Sequence, residues 1–194
     1  MVNLNICFRI VPMLNKDGVF IGNYRTGVVG DDFNRRFKSG NKEFFPEIFG
    51  LKKLVTKCKK LGKIHLFLDL HGHSILKSSF LFGPDRKSFE SEERILLWNI
   101  VINIDEYLLN NSKYFSHISS VYCNEAKKIE TARVYFQMQE NILSLTCENS
   151  LGLYYDQSQT FQESSLDWRI FGRHLLEAMM NTLSSEGELK SLEL

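Results

Sequence analysis

Three short stretches hold side chains with chemistry to offer. In Asp69-Leu70-His71-Gly72-His73-Ser74, two imidazoles follow an apolar run. Ligands of α/β sheets sit at the carboxyl ends of strands, imidazole is a common zinc ligand, and glycine permits close backbone approach. The same spacing also suits two loop histidines that hold no metal. In Gly30-Asp31-Asp32-Phe33-Asn34-Arg35-Arg36-Phe37, guanidinium groups and an amide share one loop, and Arg25 lies upstream. A guanidinium fork matches a carboxylate bidentately and asparagine adds a donor, so this group can hold an anion. A solvated basic turn is the other reading. Finally, Glu148 follows the apolar run Ile142–Cys147. Partial desolvation there raises a carboxyl pKa toward the general-base range, unless the carboxylate merely caps a turn.

The elements that must position these residues are legible as periodicities. Val2 to Pro12 alternates β-formers and reads as a strand ended by Pro12, and Leu14 to Asn41 carries enough Gly, Asn and Asp for a long structured surface loop. From Pro46 to Gly62, Ile48, Leu51, Leu54, Val55 and Cys58 recur at helical spacing, with lysines 52, 53, 57, 59 and 60 on an outer basic face. Ile64 to Leu70 is an apolar run expected of a strand buried on both faces, with the His71 segment leaving its end. A short strand at Phe80 to Phe82 and a helix with Leu97, Val101, Ile104 and Leu108 on one stripe come next. Arg133 to Phe136 and Ile142 to Cys147 read as two more strands. A last helix, about Leu166 to Leu183, should bury Phe171, Leu175, Ala178, Met179 and Leu183, leaving a polar, frayed tail from Ser184. Strands alternating with helices define an α/β sheet.

Composition sets the outer bounds. A chain of 194 residues, with 43% hydrophobic and 24% charged residues, can bury one sizeable core. A net charge of +1 provides no global field to recruit nucleic acid or an anionic membrane, so charge selectivity must be local. Apolar runs are far shorter than the ~20 residues of a membrane span, which reads as a soluble chain. Four dispersed cysteines without a C-x-x-C pair or a secretory signal read as reduced thiols in the cytoplasm.

Taken together, the ordered blocks Phe8-Arg9-Ile10-Val11-Pro12-Met13-Leu14-Asn15-Lys16-Asp17-Gly18-Val19, Gly22-Asn23-Tyr24-Arg25, Gly30 to Arg35 and Asp69 to Ser74 resemble the cytosolic carboxypeptidases. That family belongs to the zinc metallocarboxypeptidase superfamily and includes the tubulin deglutamylases. Thr131-Ala132-Arg133-Val134 and Thr146-Cys147-Glu148 fall where the family has its Ala-Arg-Val segment and catalytic glutamate. The resemblance implies that His71 is a zinc ligand, that Arg25 stabilises the oxyanion, and that Asn34 and Arg35 hold the substrate's terminal carboxylate. It makes Glu148 the general base and lets Arg133 favour a terminal glutamate. It also implies a three-layer α/β/α fold with a mixed sheet. The expected cofactor is Zn2+, and the expected partners are acidic protein or peptide C-termini such as those of tubulin.

The departures are as informative. The five histidines stand at 65, 71, 73, 117 and 174, and none has glutamate three positions on, so the family's H-x-x-E zinc pair is absent. Asn15-Lys16-Asp17-Gly18 replaces the usual Asn-Pro-Asp-Gly. The chain therefore reads as an N-terminally truncated piece, with 1–183 the C-terminal portion of a catalytic domain and 184–194 a tail. It should lack the N-terminal strands, leave a bare sheet edge and be inactive as written. A non-catalytic binding module for acidic tails is the alternative, and a deacylase of the aspartoacylase type is disfavoured by Pro12-Met13-Leu14-Asn15. The carboxypeptidase reading requires His71 and Glu148 on one face of the sheet. It also requires Arg25 and Arg35 around the same cleft, within about 10 to 12 Å, the scale of a pocket for one residue.

Overall fold

The structure is a computed structural model that describes residues 6–85, 92–123, 128–156, 159–162 and 164–192. In chain order the elements are α1 (Lys16–Ile21), α2 (Pro46–Leu61), β1 (Phe67–His73), β2 (Phe80–Gly83), α3 (Glu92–Asn111), β3 (Val121–Tyr122), α4 (Ala132–Gln139), β4 (Ser144–Ser150), β5 (Leu153–Asp156), β6 (Gln159–Gln162) and α5 (Ser165–Leu192). The described residues fall into two compact units, one within Met1–Ile6, Asp69–Cys123 and Leu145–Leu194, the other within Cys7–Leu68 and Asn124–Ser144.

The first unit is built on a mixed sheet in the order β1-β4-β2-β3, as an α/β fold requires. β2 and β4 are antiparallel, pairing Phe80 with Glu148, Leu81 with Cys147 and Phe82 with Thr146. β2 and β3 are parallel, pairing Gly83 with Tyr122. Leu81, Leu145 and Cys147 share one buried face of the sheet. Helix α3 covers that face: the Tyr122 hydroxyl donates to Asp105 of α3, and the Trp98 and Tyr122 rings meet edge to face at 5.8 Å. Burial, with Asp105 adding to it, drives the Tyr122 hydroxyl pKa far up, so this tyrosine is a fixed donor. Asp105 is itself buried, and its second oxygen is met by His117 Nδ1, so the carboxylate is paired on both sides. A Cβ on Gly83 would stand 2.7 Å from the Tyr122 ring, which explains a glycine inside a strand. Helix α5 packs on α3, with Tyr107 donating to Glu177 at 3.2 Å.

The second unit has its own core of Phe33, Phe37, Phe45, Ile48, Val55, Ala132, Phe136 and Ile142. Helix α2 begins at Pro46, whose missing N–H costs nothing in a first turn, and ends at Gly62. Its inward stripe and lysine-bearing outer face are those expected from spacing.

Several expectations are corrected. Residues 6–12 are irregular, with Ile10 80% exposed, because a strand pattern needs a ladder and no described strand supplies one. Residues 2–5 lie outside the described residues. The loop from Leu14 holds a short helix, α1, because Asn15 caps it by accepting from Gly18 N–H at 3.1 Å. The first sheet strand runs from Phe67 to His73, so His71 lies within it. Among the described residues it stands at one end of the strand order, and Leu70 is 68% exposed where full burial was expected. Arg133 to Phe136 is helix α4, not a strand. Glu148 lies inside β4. Helix α5 continues to Leu192, so the backbone from Ser184 is helical where a frayed tail was expected.

Helix α5 is held at its start by Asp167. Its carboxylate accepts from the Ser164 hydroxyl and N–H at 2.6 and 2.8 Å and from the Tyr114 hydroxyl at 2.6 Å. These bonds, that of the Ser164 side chain first, lower its pKa from 3.8 to about 2. A depressed carboxyl stabilises the fold above its ordinary value, and that contribution is lost as pH falls from 3.8 through about 2. Asp167→Asn should flatten the acid limb of stability, read as the thermal midpoint between about pH 5 and pH 2.

Candidate functional site

Face parity places the first group of candidates. Residues directly opposite in a ladder project to the same face, so Glu148 and Phe80 share one. The Phe80 ring meets the His73 ring edge to face at 5.3 Å, which puts His73 there too. His71, two residues before His73 on β1, follows by the period of the strand. Asp69 completes the row, with Oδ2 2.7 Å from His71 Nε2. His71 and Glu148 thus lie on neighbouring strands, on the face opposite the one that α3 covers.

The two imidazoles have different duties. His73 Nδ1 accepts the backbone N–H groups of Ile75 and Leu76 at 3.1 and 3.0 Å, so it closes the turn after β1. His71 is half-buried and is oriented by Asp69. Nothing in the local sequence marked Asp69 as its partner except the i, i+2 spacing, which acquires meaning only once the segment is a strand. The thiol of Cys147, beside Glu148 but on the buried face, is pushed up to about 12 by burial and is no nucleophile.

Arg25, Asn34, Arg35 and Arg133 lie in the second unit. The half-exposed Arg25 is held by an ion pair to Asp32 at 3.0 Å. The other Asp32 oxygen accepts Asn34 N–H at 2.8 Å, so one carboxylate orders both ends of the loop. Gly27 bonds to Asp31 across the same turn at 2.9 Å, and Gly30 takes the positive φ of 76° that the turn requires. Asn34 Oδ1 accepts Ala132 N–H at 2.8 Å across 98 residues, satisfying an orphan donor at the start of α4. Thr131, the residue at the cap position, makes no side-chain cap of its own. Arg133, buried next to Ala132, is therefore tied to the loop that carries Arg35. Arg35 is exposed and donates to the Asn34 carbonyl at 2.7 Å.

The residues present do not by themselves fit a zinc ion. Zinc sites take three or four protein ligands, and among the described residues no three His, Cys, Asp or Glu side chains converge. His71 offers one imidazole, and the H-x-x-E pair is absent from the sequence.

No family model matches the chain. Among solved structures, the fold is similar to that of a metallo-carboxypeptidase from Burkholderia cenocepacia, at a TM-score of 0.73 and 22% identity, covering 90% of this chain and 44% of that one. It is similar also to the metallo-carboxypeptidase from Pseudomonas aeruginosa in complex with (2-guanidinoethylmercapto)succinic acid, at 0.70 and 20% identity, covering 88% of this chain and 44% of that one. The fold is thus that of the metallocarboxypeptidases. In sequence, cytosolic carboxypeptidase 6 of Mus musculus is 34% identical over 131 residues, 66% of this chain and 23% of the relative. Cytosolic carboxypeptidase 2 of Macaca fascicularis is 41% identical over 147 residues, 75% of this chain and 17% of the relative. The chain belongs to the cytosolic carboxypeptidase family. It spans less than a quarter of the length of these two relatives.

The Asn34 bond gives a measurable consequence. Asn34→Ala should cost about 0.5–2 kcal/mol, the weight of a lost helix cap, read in urea unfolding. Asn34→Asp, which keeps an acceptor, should recover most of it.

Proposed function

We propose that this chain is the substrate-end and general-base portion of a zinc metallocarboxypeptidase that removes C-terminal or side-chain-linked glutamates from acidic protein tails such as those of tubulin. The observation that carries the reading is the shared face of His71 and Glu148 on adjacent strands. In this reading Arg35 grips the terminal carboxylate of the substrate. Asn34 assists through its amide N–H, since its carbonyl oxygen is engaged with Ala132. Arg25, oriented by Asp32, meets negative charge developing on the scissile carbonyl oxygen. Glu148 takes the proton of the attacking water, and Arg133 favours a glutamate side chain. His71 would be one imidazole of a zinc site, and among the described residues no further ligands converge on it. The named relatives are called cytosolic, which supports a cytoplasmic setting.

The incomplete zinc set favours a second reading, in which the chain captures acidic C-terminal tails without cutting them. One experiment separates the two. A glutamate-rich peptide with a free C-terminus should bind about tenfold or more tighter than its C-terminal amide, and Arg35→Ala should erase that preference, as loss of a charge-assisted pair does. Release of free glutamate in the presence of zinc, reduced about a hundredfold or more by Glu148→Gln with binding retained, selects the enzyme. Binding without release limits the function of this chain to the capture of acidic ends. Equal affinity for acid and amide sinks both.

A further inference from the structure

The outer face of α2 was expected to be a basic surface, and the structure gives it a shape. Phe49, Lys52, Lys53, Thr56, Lys57 and Lys60 surround a shallow depression of about 310 Å³, to which none of the six candidate site residues contributes. The spacings of three and four residues bring Lys53, Lys57 and Lys60 onto one side of the helix. The neighbouring lysines are already engaged. Lys52 donates to the Phe37 carbonyl and lies 4.2 Å from the centre of the Tyr135 ring, while Lys59 pairs with Glu140 at 2.9 Å. Among the described residues Lys53, Lys57 and Lys60 have no carboxylate partner. Three like charges at helical neighbour spacing repel one another weakly in solvent, and an anion lying along them relieves that repulsion.

We propose that this face docks an acidic polypeptide segment, an extended run of Glu or Asp laid along α2 with carboxylates against Lys53, Lys57 and Lys60. The dimensions agree: seven helical steps cover about 10 Å, and alternate side chains of an extended strand are about 7 Å apart, so two carboxylates on one side of the segment lie along the row of three ammonium groups. Lysines on flexible stems suit dispersed carboxylates, whereas a single-stranded nucleic acid site needs stacking platforms, and Phe49 is the one aromatic ring lining the depression. A membrane-surface helix interleaves exposed apolar side chains with its basic ones. From Lys53 to the end of α2 the exposed positions are Lys53, Thr56, Lys57, Lys59, Lys60 and a single apolar side chain, Leu61. The docking needs no zinc and no free peptide end, so it stands apart from the hydrolytic reading.

The test uses the full chain and a fluorescein-labelled deca-glutamate whose C-terminus is amidated, read by anisotropy. Binding should weaken as salt is raised. The triple change Lys53→Glu, Lys57→Glu, Lys60→Glu should weaken it at least tenfold with an unchanged circular dichroism spectrum. The milder triple change to Gln, which keeps the helix intact should the first variant fail to fold, should still weaken it several-fold. Lys16→Gln, at an exposed lysine of α1, should leave it unaltered. Parent-like affinity in a folded triple variant overturns the proposal. So does tighter, lysine-dependent binding of labelled oligothymidylate or of phosphatidylserine vesicles, which would assign the face to nucleic acid or to membrane.

Discussion

The register between β2 and β4 is the constraint on which the candidate chemistry depends. Pairing Phe80 with Glu148 turns the carboxylate to the face of His71 and His73, and in the same stroke turns Leu81 and Cys147 toward α3. Because side chains alternate with a period of two, a slip of one residue would bury Glu148 under the helix and expose Cys147. The register is enforced from the apolar side. Leu81, Leu145, Cys147 and the close fit of Gly83 against Tyr122 resist any slip, since each would lose its burial at once. The core on one face thus sets the geometry of the polar row on the other.

A second long-range contact does comparable work in the other unit. The loop from Arg25 to Arg36 is ordered by its own acids: Asp32 pairs with Arg25 and caps the turn at Asn34, while Asp31 pairs with Arg36 at 2.7 Å. The Asn34 side chain then caps α4, and Glu130 accepts the N–H groups of Lys38 and Ser39 at 3.0 and 2.9 Å. Burial of Glu130 opposes its ionisation, but the Ser39 and Lys38 N–H bonds outweigh it and hold its pKa below the ordinary value, so the clamp is charged at neutral pH. These bonds tie the loop that carries Arg25, Asn34 and Arg35 down at several points along its length.

The family assignment and the metal chemistry stand on different footings. Identity of 34–41% to cytosolic carboxypeptidases fixes descent. Zinc binding is a matter of ligand number, and the described residues bring one imidazole with its orienting carboxylate.

By itself the sequence determined what local periodicity and composition can determine. Helix α2 is legible because Pro46, Gly62 and an apolar stripe all act within one segment, and Leu97 to Leu108 marks α3 in the same way. The α/β class follows from the alternation, and the candidate residues are visible as types in ordered blocks. Tertiary structure alone decided the rest, because the deciding partners are distant in the chain. Arg133 to Phe136 is rich in β-formers, yet it is helical because its apolar residues meet Phe37 and Phe67 and its first N–H finds Asn34. The opening strand pattern of residues 6–12 stays irregular for the converse reason, since a ladder partner cannot be read from one segment. The shared face of His71 and Glu148 is likewise a property of pairing, and hydrogen bonds between strands far apart in sequence are fixed only when the core closes.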